Sequence, residues 1–275
     1  MRGILIAILF ALITCACNGF RKQDAPPEAA AVVHEEGYDS LSDSDASADV
    51  APPSSADEFF DDFIFSFMSN RDYQFSRITF PLPYTNEGRT TLITQDRWRF
   101  DSIYANEDFF VAIFDNMASM KLEKDTNVNS VNVTWLYLKY GKTKNYDFER
   151  VNGRWNLVKL DVNAVGQNED ADFLQFYTKF SADDDYQNKH LAEKIVFKSY
   201  DYENSQDVSG YVEADQWESF RPYIPSDAFV SVNYGQTAGK GDTRYFVIRG
   251  ISNSMMNVLR FEKRAKMWQL VEFEN

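Results

Sequence analysis

The sequence predicts an α+β fold written twice, and three observations carry that prediction. Phe60, Phe63, Phe67, Asp72, Tyr73 and Gln74 recur 113 positions later (173 − 60) as Phe173, Phe176, Phe180, Asp185, Tyr186 and Gln187. At the same spacing, Phe148, Glu149, Trp155, Leu157 and Val158 recur as Phe261, Glu262, Trp268, Leu270 and Val271. Within each copy, helical periodicity comes first and strand alternation follows, the order expected of an α+β domain. A repeat this long signals two copies of one domain, not a short solenoid unit.

The first copy opens at Ser55-Ala56-Asp57-Glu58, a capping-box pattern with Ser55 as N-cap and Glu58 reaching back. Phe59, Phe60, Phe63, Phe67 and Met68 then fall on one helical face. The second copy opens with Asp170 or Asp172 near the cap and Phe173, Phe176, Tyr177 and Phe180 on one face. A shorter helix is expected after each Asp-Tyr-Gln. In the middle, Asp96, Trp98, Tyr104, Asp108 and Phe110 recur as Asp215, Trp217, Tyr223, Asp227 and Phe229. The spacing there is 119 (215 − 96), so the second copy gains six residues before Asp215 and loses six after Phe229. Such cancelling insertions are what loops do around a fixed scaffold. After Phe110 the chain reads as antiparallel strands. Residues 131–140 alternate, and residues 146–151 and 155–160 flank Asn152-Gly153, a pair suited to a type I′ hairpin turn. In the second copy the strands are residues 229–234, 245–251, 255–263 and 267–273.

Ahead of the repeats, Met1-Arg2-Gly3 and an apolar run from Ile4 to Ile13 have the form of an export signal. Ten apolar residues span about 15 Å as a helix, half of a bilayer core, so the run is too short for an ordinary membrane anchor. It ends in Leu12-Ile13-Thr14-Cys15-Ala16-Cys17, which resembles a bacterial lipoprotein signal. That resemblance implies acylation of Cys17, since Ala16 is the small residue such a site requires; Cys15 is the alternative. Residues 18–56 are rich in Pro, Ala, Ser and Asp and are expected to form a disordered acidic tether. Asp39-Ser40-Leu41 within it resembles the O-glycan acceptor of exported Bacteroidetes proteins. The expected organisation is therefore signal 1–17, tether 18–56, first domain 57–165 and second domain 166–275.

Composition narrows the chemistry. The formal charge of −14 disfavours nucleic acid, which requires a basic footprint. It is also repelled by anionic lipid, so membrane association is expected through the acyl anchor. Cys15 and Cys17 are the only cysteines, which leaves the mature body without disulfides, thiolate catalysis or cysteine-held zinc. The histidines are His34, in the tether, and His190, in a polar run of the second copy.

The aromatic first helix, the short helices and a meander ending in Asn152-Gly153-Arg154-Trp155-Asn156-Leu157-Val158 resemble the nuclear-transport-factor-2-like fold. Trp268-Gln269-Leu270-Val271 repeats its final strand. The resemblance implies two tandem cone-shaped domains, each with N-terminal helices packed on a curved antiparallel sheet. Signal, acidic tether and paired domains together also resemble a Bacteroidetes lipoprotein family of unknown function. The implied location is the outer membrane of the cell envelope. Members of that superfamily commonly pair through their sheets, and a tandem chain can satisfy this as an intrachain pseudo-dimer.

Trp98, Tyr104, Asp96 and Asp108, with Trp217, Tyr223, Asp215 and Asp227, are the candidate pocket residues, because they occupy matched positions and join aromatic walls to carboxylates. The competing readings make the aromatics core and the aspartates helix or turn caps. Asp183-Asp184-Asp185 lacks calcium-loop spacing and reads as a helix start. Gly235-Gln236-Thr237-Ala238-Gly239-Lys240-Gly241 lacks the spacing of a phosphate loop and reads as a hairpin loop. No metal or cofactor site is expected. The functional expectation is a lipid-anchored, non-enzymatic protein that binds a small molecule, glycan or protein. The alternatives are a carboxylate-based hydrolase or isomerase in one cone, and a structural module with filled cones.

Overall fold

A computed structural model describes residues 57–236 and 241–275. Cys17, the tether, His34 and Ser55 lie outside the described residues, as does part of the Gly235–Gly241 loop. The first copy contains α1 (Phe60–Ser69), α2 (Arg71–Ser76), β1 (Leu82–Asn86), β2 (Arg89–Ile93), β3 (Phe109–Phe114), β4 (Ser130–Tyr137), β5 (Lys142–Val151) and β6 (Arg154–Ala164). The second repeats the order, with one added helix α5, as α3 (Ala171–Ala182), α4 (Asp184–Lys189), β7 (Leu191–Asp201), β8 (Gln206–Glu213), α5 (Trp217–Phe220), β9 (Ala228–Asn233), β10 (Thr243–Gly250), β11 (Met256–Arg264) and β12 (Met267–Glu274). No described helix is long and apolar enough to cross a membrane.

The first helix begins differently from the capping-box expectation, whereas Asp170 is the N-cap residue of α3 as expected. Phe59 occupies the cap position of α1 without a side-chain bond. The carboxylate of Asp57 instead accepts from both guanidinium nitrogens of Arg77 (2.8 and 2.7 Å) and from the amide of Trp155 (3.0 Å). These bonds fix the turn that leads into α1. Asp170, at the matching position, is held by three hydrogen bonds from Arg244. The Asp-Tyr-Gln triplets lie inside α2 and α4 and do not precede them. Those helices are capped by Asn70 and Asp183, whose side chains accept from the amides of Tyr73 and Tyr186. Asp183 thus takes the helix-start role expected of the acidic run.

All twelve strands form one sheet in the order β2-β1-β6-β5-β4-β9-β3-β10-β11-β12-β7-β8. Replacing each strand by its counterpart six places along the chain reverses this order and reproduces it. The copies are therefore related by a pseudo-twofold axis running along β3 and β9. They do not close as separate sheets: β9 pairs with β4, and β3 pairs with β10. Each copy lends its central strand to the other. The sheet is mixed, because β1·β6, β7·β12 and β3·β9 are parallel. The expectation of purely antiparallel strands missed the hairpins β1–β2 and β7–β8 that follow each helix pair. The Gly235–Gly241 loop is not a hairpin loop, since β3 lies between β9 and β10. The turn at Asn152-Gly153 has positive φ at both residues (51° and 77°), as a type I′ turn requires.

An axis lying in the sheet exchanges its faces, so the two cores lie on opposite sides. Side-chain alternation shows this on the shared strands. Ala112 and Phe114 join the core beneath α1, while Val111 joins the core beneath α3. Val230 and Val232 face the first core and Phe229 the second. Each core therefore draws on both copies. Beneath α1, the rings of Phe60, Phe63 and Phe67 interlock with Phe148 and Trp155 at centroid distances of 5.2–6.4 Å. Phe173, Phe176 and Phe180 repeat the arrangement with Phe261 and Trp268. Burial of this kind, about 1.5–3 kcal/mol per large side chain, is the main source of stability in a body without disulfides.

Candidate functional site

The matched aromatic and acidic residues do not converge on one pocket. Trp98 and Trp217 are buried, and each indole is committed to a buried glutamine. Trp98 Nε1 donates to Gln74 Oε1 at 3.0 Å, and Trp217 Nε1 donates to Gln187 Oε1 at 2.7 Å. The glutamine amides in turn donate to the carbonyls of Phe67 and Phe180. Tyr104 is buried against Phe110, whereas Tyr223 is 62% exposed beside Phe109. Asp96 and Asp215 are exposed in the short 3₁₀ turns that precede the tryptophans. A hydrogen bond from Thr94 lowers the pKa of Asp96. Asp108 and Asp227 are exposed, and their backbone carbonyls accept from Ile251 and Leu138 of the opposite copy. These two positions recur where each exchanged strand begins.

The residues that do converge were not among the candidates. A groove of about 340 Å³ opens on the sheet face opposite α1, across β6, β5, β4, β9 and β3. Its floor is Thr134, Thr143, Asn145, Ser231 and Asn233, with Asn132 at the margin. One wall is the turn before α3 and its first residues: Gln167, Asn168, Glu169, Asp170 and Leu174. Ile113, Leu136 and Leu174 supply the apolar part, and Asn163 stands at the rim. Strand alternation places these side chains together. Asn132 and Thr134 point to the groove, while Val131, Val133 and Trp135 of the same strand enter the first core.

The floor is held in place by its own hydrogen bonds. Thr134 Oγ1 donates to Asn145 Oδ1 at 2.9 Å and also bonds Asn132 Oδ1. Asn145 Nδ2 donates to Thr143 Oγ1 at 3.3 Å. Asn132 Nδ2 donates to Asp147, whose pKa is raised by burial against the lowering effect of that bond. Gln236 closes one end, its amide donating to the carbonyl of Ile113 and its Oε1 accepting from the amide of Tyr234. Among the described residues, the side-chain amides of Asn163 and Gln167 and the hydroxyl of Ser231 have no hydrogen-bond partner. Asp170 is neutralised by Arg244, and Glu169 makes no ion pair among the described residues. The groove can therefore offer several neutral donors and acceptors and one carboxylate.

A second polar cluster lies at the margin of the first core. Tyr234, reaching from the second copy, donates its hydroxyl to Asp61 on α1 at 2.8 Å. The protein packed around this carboxyl pushes its pKa up to about 6, with Glu123 and Asp62 adding to the rise and the Tyr234 bond opposing it. Asp61 keeps one side open to water. Asp101, by contrast, has a lowered pKa. Burial works to raise it, but Lys144 at 3.0 Å and the hydroxyl of Tyr146 at 2.6 Å outweigh that effect.

Missing the groove had a physical cause. Its residues are ordinary amides and hydroxyls, and only the difference between the copies marks them. Thr134, Asn145, Ser231 and Asn233 correspond to Val247, Val258, Ala112 and Phe114. Searching the repeat for agreement finds the scaffold, whereas the groove lies in the disagreements.

An α+β chain with helices packed on a large mixed sheet is the class defined by this geometry. Residues 40–275 match the family model described as domain of unknown function (DUF4348), and the chain belongs to that family. A crystal structure of an NTF2-like protein from Bacteroides fragilis is similar, with 33% sequence identity and a TM-score of 0.73. The similarity covers 80% of this chain and 96% of that one. The NTF2-like expectation for the fold therefore holds. Comparison with curated proteins gives no match.

Proposed function

We propose that this is a lipid-anchored envelope protein that binds a neutral or cationic polar ligand in the groove without transforming it. In this reading the repeats form an intrachain pseudo-dimer, and Cys17 holds it to the outer membrane through the acidic tether. The observation that carries the binding role is the one-sided polarity of the groove. The same scaffold positions in the other copy are apolar and buried, so the fold itself does not require Thr134, Asn145, Ser231 and Asn233. Asp147 is bonded by Asn132 and Asp170 is paired with Arg244, while Glu169 stands exposed on the wall. His190 stacks on Tyr186 with Nδ1 at the Tyr186 carbonyl, away from the groove. That leaves no activated base at the floor.

Native mass spectrometry of protein extracted from its own envelope tests the binding role. Wild type should carry a non-covalent adduct that Ser231→Phe, which fills the floor, does not. An adduct shared equally by both proteins, or none on either, would overturn the groove assignment. The anchor has a separate test: Cys17→Ala should move the protein to the soluble fraction, and retention at the membrane contradicts acylation there.

One observation favours the enzymatic alternative. Asp61, with a pKa of about 6 and a hydrogen bond from Tyr234, has the properties of an acid–base carboxyl. Glu123, Asp62 and Arg249 are its charged neighbours. An ester or isomerase activity abolished by Asp61→Asn would establish that reading in place of the groove.

A further inference from the structure

We infer that the ligand of the groove is a polypeptide segment, uncharged or basic and poor in acidic residues. This rests on the groove being a binding site. The pseudo-twofold axis maps the groove onto the surface formed by Val247, Arg249, Met256 and Val258, bordered by Asp61 in the place of Leu174. That surface is already covered by a segment of this chain. Met120, Leu122 and Val128 pack on the first core there, and Glu123 accepts from Arg249 at 3.1 and 2.6 Å. The scaffold position therefore takes a peptide, held by apolar contacts and one charge-assisted pair. The equivalent connection in the second copy is six residues shorter (119 − 113), and its described part ends with Gln236 at the margin of the groove.

The lining specifies what kind of segment fits. Peptide groups carry one donor and one acceptor each, and the unpartnered side-chain amides of Asn163 and Gln167 present both. Glu169 lines the groove without an ion pair among the described residues, and it selects against acidic residues in the ligand. Ile113, Leu136 and Leu174 provide for one small apolar anchor. Among the described residues, no aromatic side chain lines the groove to give a sugar ring a face to stack on.

A random dodecapeptide phage library tests this, selected on wild-type protein after depletion on Ser231→Phe. Asn163→Arg, a change at the solvent-facing rim, serves as a second blocked variant that does not disturb the floor. Synthetic versions of the enriched peptides should be poor in Asp and Glu and bind each folded variant about tenfold more weakly than wild type. Glu169→Gln should weaken the basic peptides and leave the neutral ones unchanged. Enrichment of acidic peptides, or of peptides indifferent to both variants, overturns the inference. Chitotetraose and other neutral oligosaccharides form the second arm. If they bind wild type and are lost in both variants while no groove-dependent peptide emerges, the peptide assignment fails and the binding role stands. If neither probe depends on the groove, both fail.

Discussion

Gln74 and Gln187 show why particular side chains recur between copies whose loops differ. Each is almost fully buried and joins a helix carbonyl to a tryptophan indole; Gln74 also bonds the backbone of Asp101 on both sides (2.7 and 2.9 Å). Removing such a hub leaves several buried groups unpaired, which is more costly than losing one average hydrogen bond. Gln74→Ala should destabilise the protein by about 3 kcal/mol in urea denaturation, and Gln187→Ala by a similar amount. A loss below about 1 kcal/mol would show that the hub is dispensable. The two perturbed carboxylates make opposite predictions. The raised pKa of Asp61 means that its contribution to stability is fully present below pH 3.8, its unfolded value, and is lost as pH rises through about 6. Asp61→Asn should therefore stabilise the protein at pH 7.5, by about 1 kcal/mol once solvent screening is allowed for, and change little below pH 4. The lowered pKa of Asp101 means that its contribution is present above the unfolded value and is lost as pH falls through the folded one. Asp101→Asn should destabilise at neutral pH, with the difference closing in acid. Thermal melts of both variants across pH 2–8 would show whether the two trends run in opposite directions.

The exchanged strands are the feature of the elements with most consequence. Core residues Val230, Val232, Tyr234, Val247 and Val258 complete the core beneath α1, although all come from the second copy. A fragment of residues 57–165 should thus fail to give a dispersed amide spectrum alone and should recover one when co-expressed with residues 166–275. A folded, monomeric 57–165 fragment would contradict the dependence of each core on both copies. Strands β4–β6 and β9–β12 were legible because alternation and the Asn152-Gly153 turn are local signals. β1, β2, β7 and β8 were not. β2 is exposed along most of its length, as is β8, so neither carries a clean inward-facing stripe. The exchange was equally invisible, because β3 and β9 share one pattern and either fits beside β4. Only three-dimensional pairing separates them, and their two apolar faces (Val111 against Ala112, Phe229 against Val230) were the trace that the sequence held.

At the scale of the molecule, the duplication generates symmetry and the site arises where symmetry fails. Scaffold residues match across the axis: the glutamine–tryptophan pairs, the helix-capping side chains of Asn70 and Asp183, and the carbonyls of Asp108 and Asp227. One face is sealed by the segment around Met120 and Leu122, and the other keeps an amide-lined groove. The central claim, that ligand recognition belongs to this groove and not to the spaces beneath the helices, has a direct spectroscopic readout. Asn145 and Asn163 carry side-chain amide signals in the groove, and Trp98 and Trp217 carry indole signals inside the two cores. Titrating isotope-labelled protein with soluble envelope extract should shift the Asn145 and Asn163 signals and leave the indoles in place. Shifts of the Trp98 or Trp217 indoles with unmoved asparagine signals would contradict the account.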